Sequence, residues 1–166
     1  LNISYWFNNF INCSSLDLTK INTLKITDMK FLFYNTGNNI TTSFNIVGLN
    51  NWDVSNVTNM NSMFGRCGYY SNNFNIGDLS NWDVSKVTDM NAMFQRTGTN
   101  AENFNMGDLS NWDVSNVTDM GNMFYATGMN VDEWNVGNLD DWKVSNVVNM
   151  KGMFGQSGFY SKSFNV

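Results

Sequence analysis

NWDVSNVTDM, residues 111–120, is the stretch whose reading decides the fold. It recurs as NWDVSNVTNM at 51–60, as NWDVSKVTDM at 81–90 and as DWKVSNVVNM at 141–150. Trp52, Trp82, Trp112 and Trp142 therefore stand thirty residues apart. A fixed period of that length marks stacked supersecondary units, none of which can bury its apolar face alone. The expected architecture is a repeat solenoid, with mainly parallel β strands and one short helical turn per coil.

Working outward from each Trp, Val54, Val84, Val114 and Val144 follow two residues on, the alternation of a half-buried strand. The Val57, Met60 and Met63-Phe64 spacing, repeated in every coil, has a helical period and predicts a turn of helix over Met60–Phe64. Gly68, Gly98, Gly128 and Gly158 stand where a helix would stop. A loop of changing sequence follows: YYSNN from Tyr69, TNAEN from Thr99, MNVDE from Met129 and FYSKS from Phe159. Phe74-Asn75-Ile76 and its counterparts then form a second strand around a constant Asn, continuing through Leu79 to the next Trp.

On this register the chain is one solenoid domain over 1–166. A partial coil fills 1–15 and a worn coil 16–48. Full coils fill 49–78, 79–108 and 109–138, and an incomplete one 139–166. Ile21 stands in the place of the Trp. Met29 to Met60 is 31 residues, so the worn coil carries one extra residue, most simply after Gly37. Further back, Ile3-Ser4-Tyr5-Trp6 lines up with Val57–Met60 and Phe10 with Phe64, which puts Cys13 and Cys67 at one repeat position. Two coils apart, they would lie about 10 Å from each other at ~4.8 Å per coil, too far for a disulfide. Two buried free thiols are the expectation.

Composition narrows the function classes. Charged residues are 14%, and Lys and Arg number nine against fourteen Asp and Glu, a net charge of −5. Phosphate binding needs clustered cations, so a nucleic-acid partner is not expected. The apolar runs are a few residues long, too short to span a bilayer. His is absent and neither Cys has a basic neighbour placed to activate it, so an enzyme is not expected and no cofactor is implied. Asn2, Asn12, Asn39, Asn56 and Asn116 open glycosylation sequons, which matter only in a host that glycosylates secreted chains.

The unit resembles the repeat of the BspA-like leucine-rich-repeat surface proteins. The likeness is closest to the W-D-V-S-x-V-T-D-M-x-x-M-F variant found in mycoplasma, other bacterial, algal and large-virus proteins of mostly unknown function. It is strong over 49–164 and weaker before. The long loops after Gly68, Gly98 and Gly128 depart from the family pattern. The resemblance implies a right-handed solenoid, surface display, and binding or adhesion, and it carries over no catalytic residue.

Three sets of residues are candidates for chemistry. Asp53, Asp83 and Asp113 form a column, broken by Lys143, that reads either as a calcium ladder or as a row of Asx-turns. Asn45, Asn75, Asn105, Asn135 and Asn165 form a second column, expected to bond amide to amide along the stack, as the Trp column is expected to pack. Tyr69, Tyr70, Tyr125, Phe159 and Tyr160 are aromatics that the repeat does not fix, and they are either anchors for a partner or lids on the core. Two functions follow as expectations. One is a surface or extracellular interaction protein binding a protein or glycan through its loops. The other is a structural subunit of a virion or filament, joined to copies of itself end to end.

Overall fold

The computed structural model describes residues 1–166. Its organising feature is the stretch after each Val, where the expected helix does not form. The N–H groups of Met60, Ser62, Phe64 and Arg66 donate forward to the carbonyls of Asp89, Asn91, Met93 and Gln95 in the next coil, at 2.8–2.9 Å. Those of Met63, Gly65 and Cys67 close local turns onto Met60, Ser62 and Phe64. Asn61 donates to its neighbour Asn59 Oδ1, and Gly68 reaches back to Thr36 O. Every donor from Met60 to Gly68 is thus satisfied without a single i→i−4 bond.

This pattern needs left-handed backbone twice per coil before the closing glycine. The first position holds Tyr5, Phe31, Ser62, Ala92, Asn122 and Gly152. The second holds Asn9, Asn35, Arg66, Arg96, Ala126 and Gln156. All have φ between 52° and 65°, a region that L side chains enter at a cost. Two left-handed residues four apart forbid an α-helix, whatever the apolar spacing. The same three-and-four spacing is served by successive turns.

The remaining elements are short. β1 (Ser15–Asp17), β2 (Ser43–Val47) and β3 (Asn73–Asn75) form one parallel sheet. β4 (Glu133–Asn135) and β5 (Ser163–Asn165) form another. Phe44 pairs with Phe74 and Trp134 with Phe164, each thirty residues on. The strand expected from Trp52 to Val57 is absent: Val57 N–H turns back to Val54 O, and only single bridges join Asp28, Asn59, Asp89, Asp119 and Asn149 in a row.

Equivalent side chains pile over one another in one cluster of 39 buried residues. The rings of Phe33, Phe64, Phe94, Phe124 and Phe154 stack at 5.3–5.6 Å between centroids. Trp82 and Trp112 lie 6.4 Å apart and 3° from parallel. In this column each indole N–H finds a carbonyl one level back: Trp82 to Leu49 at 2.9 Å, Trp112 to Leu79 and Trp142 to Leu109 at 3.0 Å, and Trp52 to Leu18 at 3.4 Å.

The register corrects the alignment of the first coil. Asn2 bridges Asp28, so Ile3 takes the Met60 position, and Phe7 stacks on Phe33 at 5.4 Å. Trp6 and Phe10 are half exposed instead. Ile3 is the better core residue because the first coil then points both Ile3 and Phe7 inward. Cys13 falls two residues before β1, beside Ser43, and not in the column of Cys67. It is half-buried, whereas Cys67 is fully buried; both are free. That column belongs to Thr36, Thr97 and Thr127, whose hydroxyls donate to the carbonyls of Phe7, Phe64 and Phe94 at 2.5–2.6 Å.

Candidate functional site

The Asp column is built from local geometry. Asp53, Asp83 and Asp113 each accept the N–H of the Ser two residues on, at 2.9–3.1 Å. These are Asx-turns at an exposed corner. The Ser55 hydroxyl and then its N–H hold the Asp53 carboxyl below the usual carboxylate range, and Ser115 does the same for Asp113, helped by the Lys143 charge. No three carboxylate or thiol side chains lie close enough to surround one cation.

The Asn column does not face inward. Asn75, Asn105, Asn135 and Asn165 are exposed and Asn45 is half-buried. The Oδ1 atoms of Asn75, Asn105 and Asn135 accept the N–H of Gly77, Gly107 and Gly137 at 2.7–2.8 Å, so the expected amide-to-amide ladder is absent there. The glycines follow with φ of 79° to 89°, a turn that carries the chain off the strand. Amide pairs form elsewhere, Asn103 to Asn73 at 3.0 Å and Asn35 to Asn9 at 2.8 Å.

A third polar column was not singled out from the sequence. Asp28, Asn59, Asp89, Asp119 and Asn149 each accept the N–H two residues on. Asn91 and Asn149 also donate to Asp119 at 2.9 and 3.0 Å. Burial raises the Asp119 pKa, but the bonds from Asn91, Gly121 and Asn149 together outweigh it and the net shift is downward. The signal was in plain view as the constant D/N before each Met.

The loop aromatics divide. Tyr69 and Tyr70 pack edge to face at 4.7 Å, with the Arg66 guanidinium 4.9 Å from the Tyr69 ring. Phe159 and Tyr160 repeat that arrangement at 4.9 Å and are largely exposed. The two pairs occupy one edge of the stack, three coils apart. Tyr125 is not with them. It sits in the turn stretch, half-buried, its ring lying over the space that a side chain on Gly155 would fill.

No helix is long and apolar enough to cross a membrane. No curated protein and no solved structure matches the chain. One family model does, over residues 1–127 and again over 38–165, as expected when the model itself describes a repeat. The chain accordingly belongs to the family described as "Mycoplasma protein of unknown function, DUF285".

Proposed function

We propose that this chain is a leucine-rich-repeat-like solenoid segment of the BspA-like kind, displayed at a surface and binding a protein or glycan without catalysis. The observation that carries this reading is the division of labour among side chains. The repeated positions are spent on the core and on turn hydrogen bonds, whereas two of the loops that vary from coil to coil expose aromatics, Tyr70 in one and Phe159 and Tyr160 in the other. Rigid scaffolds place their recognition residues in such loops. Replacing Tyr69 and Tyr70 with Ser is expected to abolish capture of a surface partner while leaving the melting temperature unchanged. Undiminished capture would remove those loops from the reading.

A further inference from the structure

One interface between coils is incomplete. Elsewhere the loop and strand segments are tied level to level, as in Asn100 N–H to Tyr69 O, Glu102 to Asn72 and Phe74 to Asn103. Between the levels that carry Phe104 and Trp134, no backbone bond crosses from Gly128–Thr97 at 3.1 Å until Leu109–Val136 at 2.8 Å. The cause is Trp134, which replaces the Phe of the other coils. Its indole N–H donates inward to Thr127 O at 3.1 Å, and its ring packs edge-on against Phe124. The Phe44–Phe74–Phe104 stack, at 5.4 and 5.2 Å, therefore ends at Phe104, and Trp134 starts a new stack with Phe164. Phe104 is left only partly buried, whereas Phe44, Phe74 and Trp134 are buried.

The opening lies in a shallow cleft of about 540 Å³ that runs across several levels, from Asn45 to Glu133. Its walls are carboxamides and carboxylates. Asn75 and Asn105 have committed their oxygens to glycine N–H groups and keep their Nδ2 donors free. Asn103 donates to Asn73 and keeps its Oδ1 acceptor. Glu102 and Glu133 add carboxylate acceptors at the rim. The one cation near the rim, Lys162, is paired with Asp132 at 2.9 Å.

We propose that this cleft binds a neutral oligosaccharide, as a second site apart from the loop aromatics, a proposal that rests on the surface-binding function. Fixed amide donors and carboxylate acceptors pair with the vicinal hydroxyls of a sugar. The exposed part of the Phe104 ring packs on the apolar C–H side of a pyranose ring. The amide rows recur at the coil spacing, close to the length one pyranose adds to an extended chain. The uncompensated carboxylates exclude sulfated and sialylated glycans. An inserted peptide strand fits less well. It would need twice the interstrand spacing of about 4.8 Å, and the closed bonds on either side hold the levels together.

The test is calorimetric titration of the intact chain with cellotetraose, N-acetylchitotetraose and mannotetraose, with a sulfated heparin tetrasaccharide and an extended Thr-Val peptide as comparators. At least one neutral tetrasaccharide should bind. Asn103→Ala and Glu133→Gln, both at exposed positions, should weaken it about tenfold or more each, and tetrasaccharide binding should survive Tyr69→Ser/Tyr70→Ser. The proposal falls if no neutral sugar binds, if only the sulfated sugar or the peptide does, or if the Asn103 and Glu133 variants bind as before. Loss of a surface partner in the tyrosine variant alongside any of those results would leave the loop reading standing without the cleft.

Discussion

At the scale of single residues, the indole N–H shows how a column becomes specific. Trp112 is fully enclosed, and its N–H has one partner, Leu79 O at 3.0 Å. Trp112→Phe loses that bond and leaves a small void, so a loss of about 1–2 kcal/mol is expected in urea unfolding. An unchanged midpoint would mean the bond is replaced by water. Cys67 gives a second expectation. Burial lifts its thiol well above the ordinary range, with the nearby Cys13 adding to the effect. The folded chain keeps a proton that the unfolded chain releases near pH 8.5. This contribution is therefore complete below that pH and declines as the pH rises past it. A thiol reagent at neutral pH should modify Cys13 within minutes and Cys67 only on unfolding. Simultaneous labelling would show that the turn stretch opens readily. The Trp and Phe columns were legible because a large side chain at a fixed interval has one cheap destination, a shared core. The first coil was misaligned because Ile3 and Phe7, or Trp6 and Phe10, satisfy the same spacing. The bridge from Asn2 to Asp28 and the stack of Phe7 on Phe33 separate the two registers.

At the scale of elements, period alone could not distinguish a helix from a run of turns, since both bring residues three and four apart to one side. The deciding information is backbone hand. Ala92, Phe31 and Arg96 adopt left-handed φ without being residues that announce it. The Gly68 column, Gly152, Asn9, Asn35 and Asn122 hinted at the conformation. That hand makes a prediction of opposite signs at one site. Arg96 has φ of 57°, so Arg96→Gly should stabilise by about 1 kcal/mol, as a Cβ clash is relieved. Arg96→Val, β-branched, should destabilise by a similar or larger amount. A thermal melt reads both, and equal shifts would argue against the turn geometry. The Asn column was misjudged for a related reason. Its amides serve the turn at Gly77, Gly107 and Gly137, a local bond that competes with the ladder. The cleft at Phe104 was hidden as well: Phe74, Phe104 and Trp134 read as a conservative run of aromatics, yet the indole N–H of Trp134 donates to Thr127 O and its ring meets Phe124 edge-on instead of stacking on Phe104.

At the scale of the molecule, each coil's core is half its neighbour's. Phe94 lies between Phe64 and Phe124, at 5.4 and 5.6 Å, so the coils on either side cover its two faces. Phe94→Ala should cost about 3–5 kcal/mol, and it should shift the entire unfolding curve if the levels melt together. Val148→Ser, at a position 87% exposed, should leave that curve where it was. A split transition for Phe94→Ala would show that the levels unfold independently. The forward donation seen at Met60, Ser62, Phe64 and Arg66 repeats at every level, from Ile3 to Asp28 through Met120 to Asn149. The peptide groups along that side consequently point one way, like iron filings in a field. Met150, Gly152, Phe154 and Gln156 offer N–H groups at the far face, and the carbonyls of Asn2 and Ser4 look out from the near one. Anything that extends this side must arrive in the same sense: mirror-wise docking would set donor against donor.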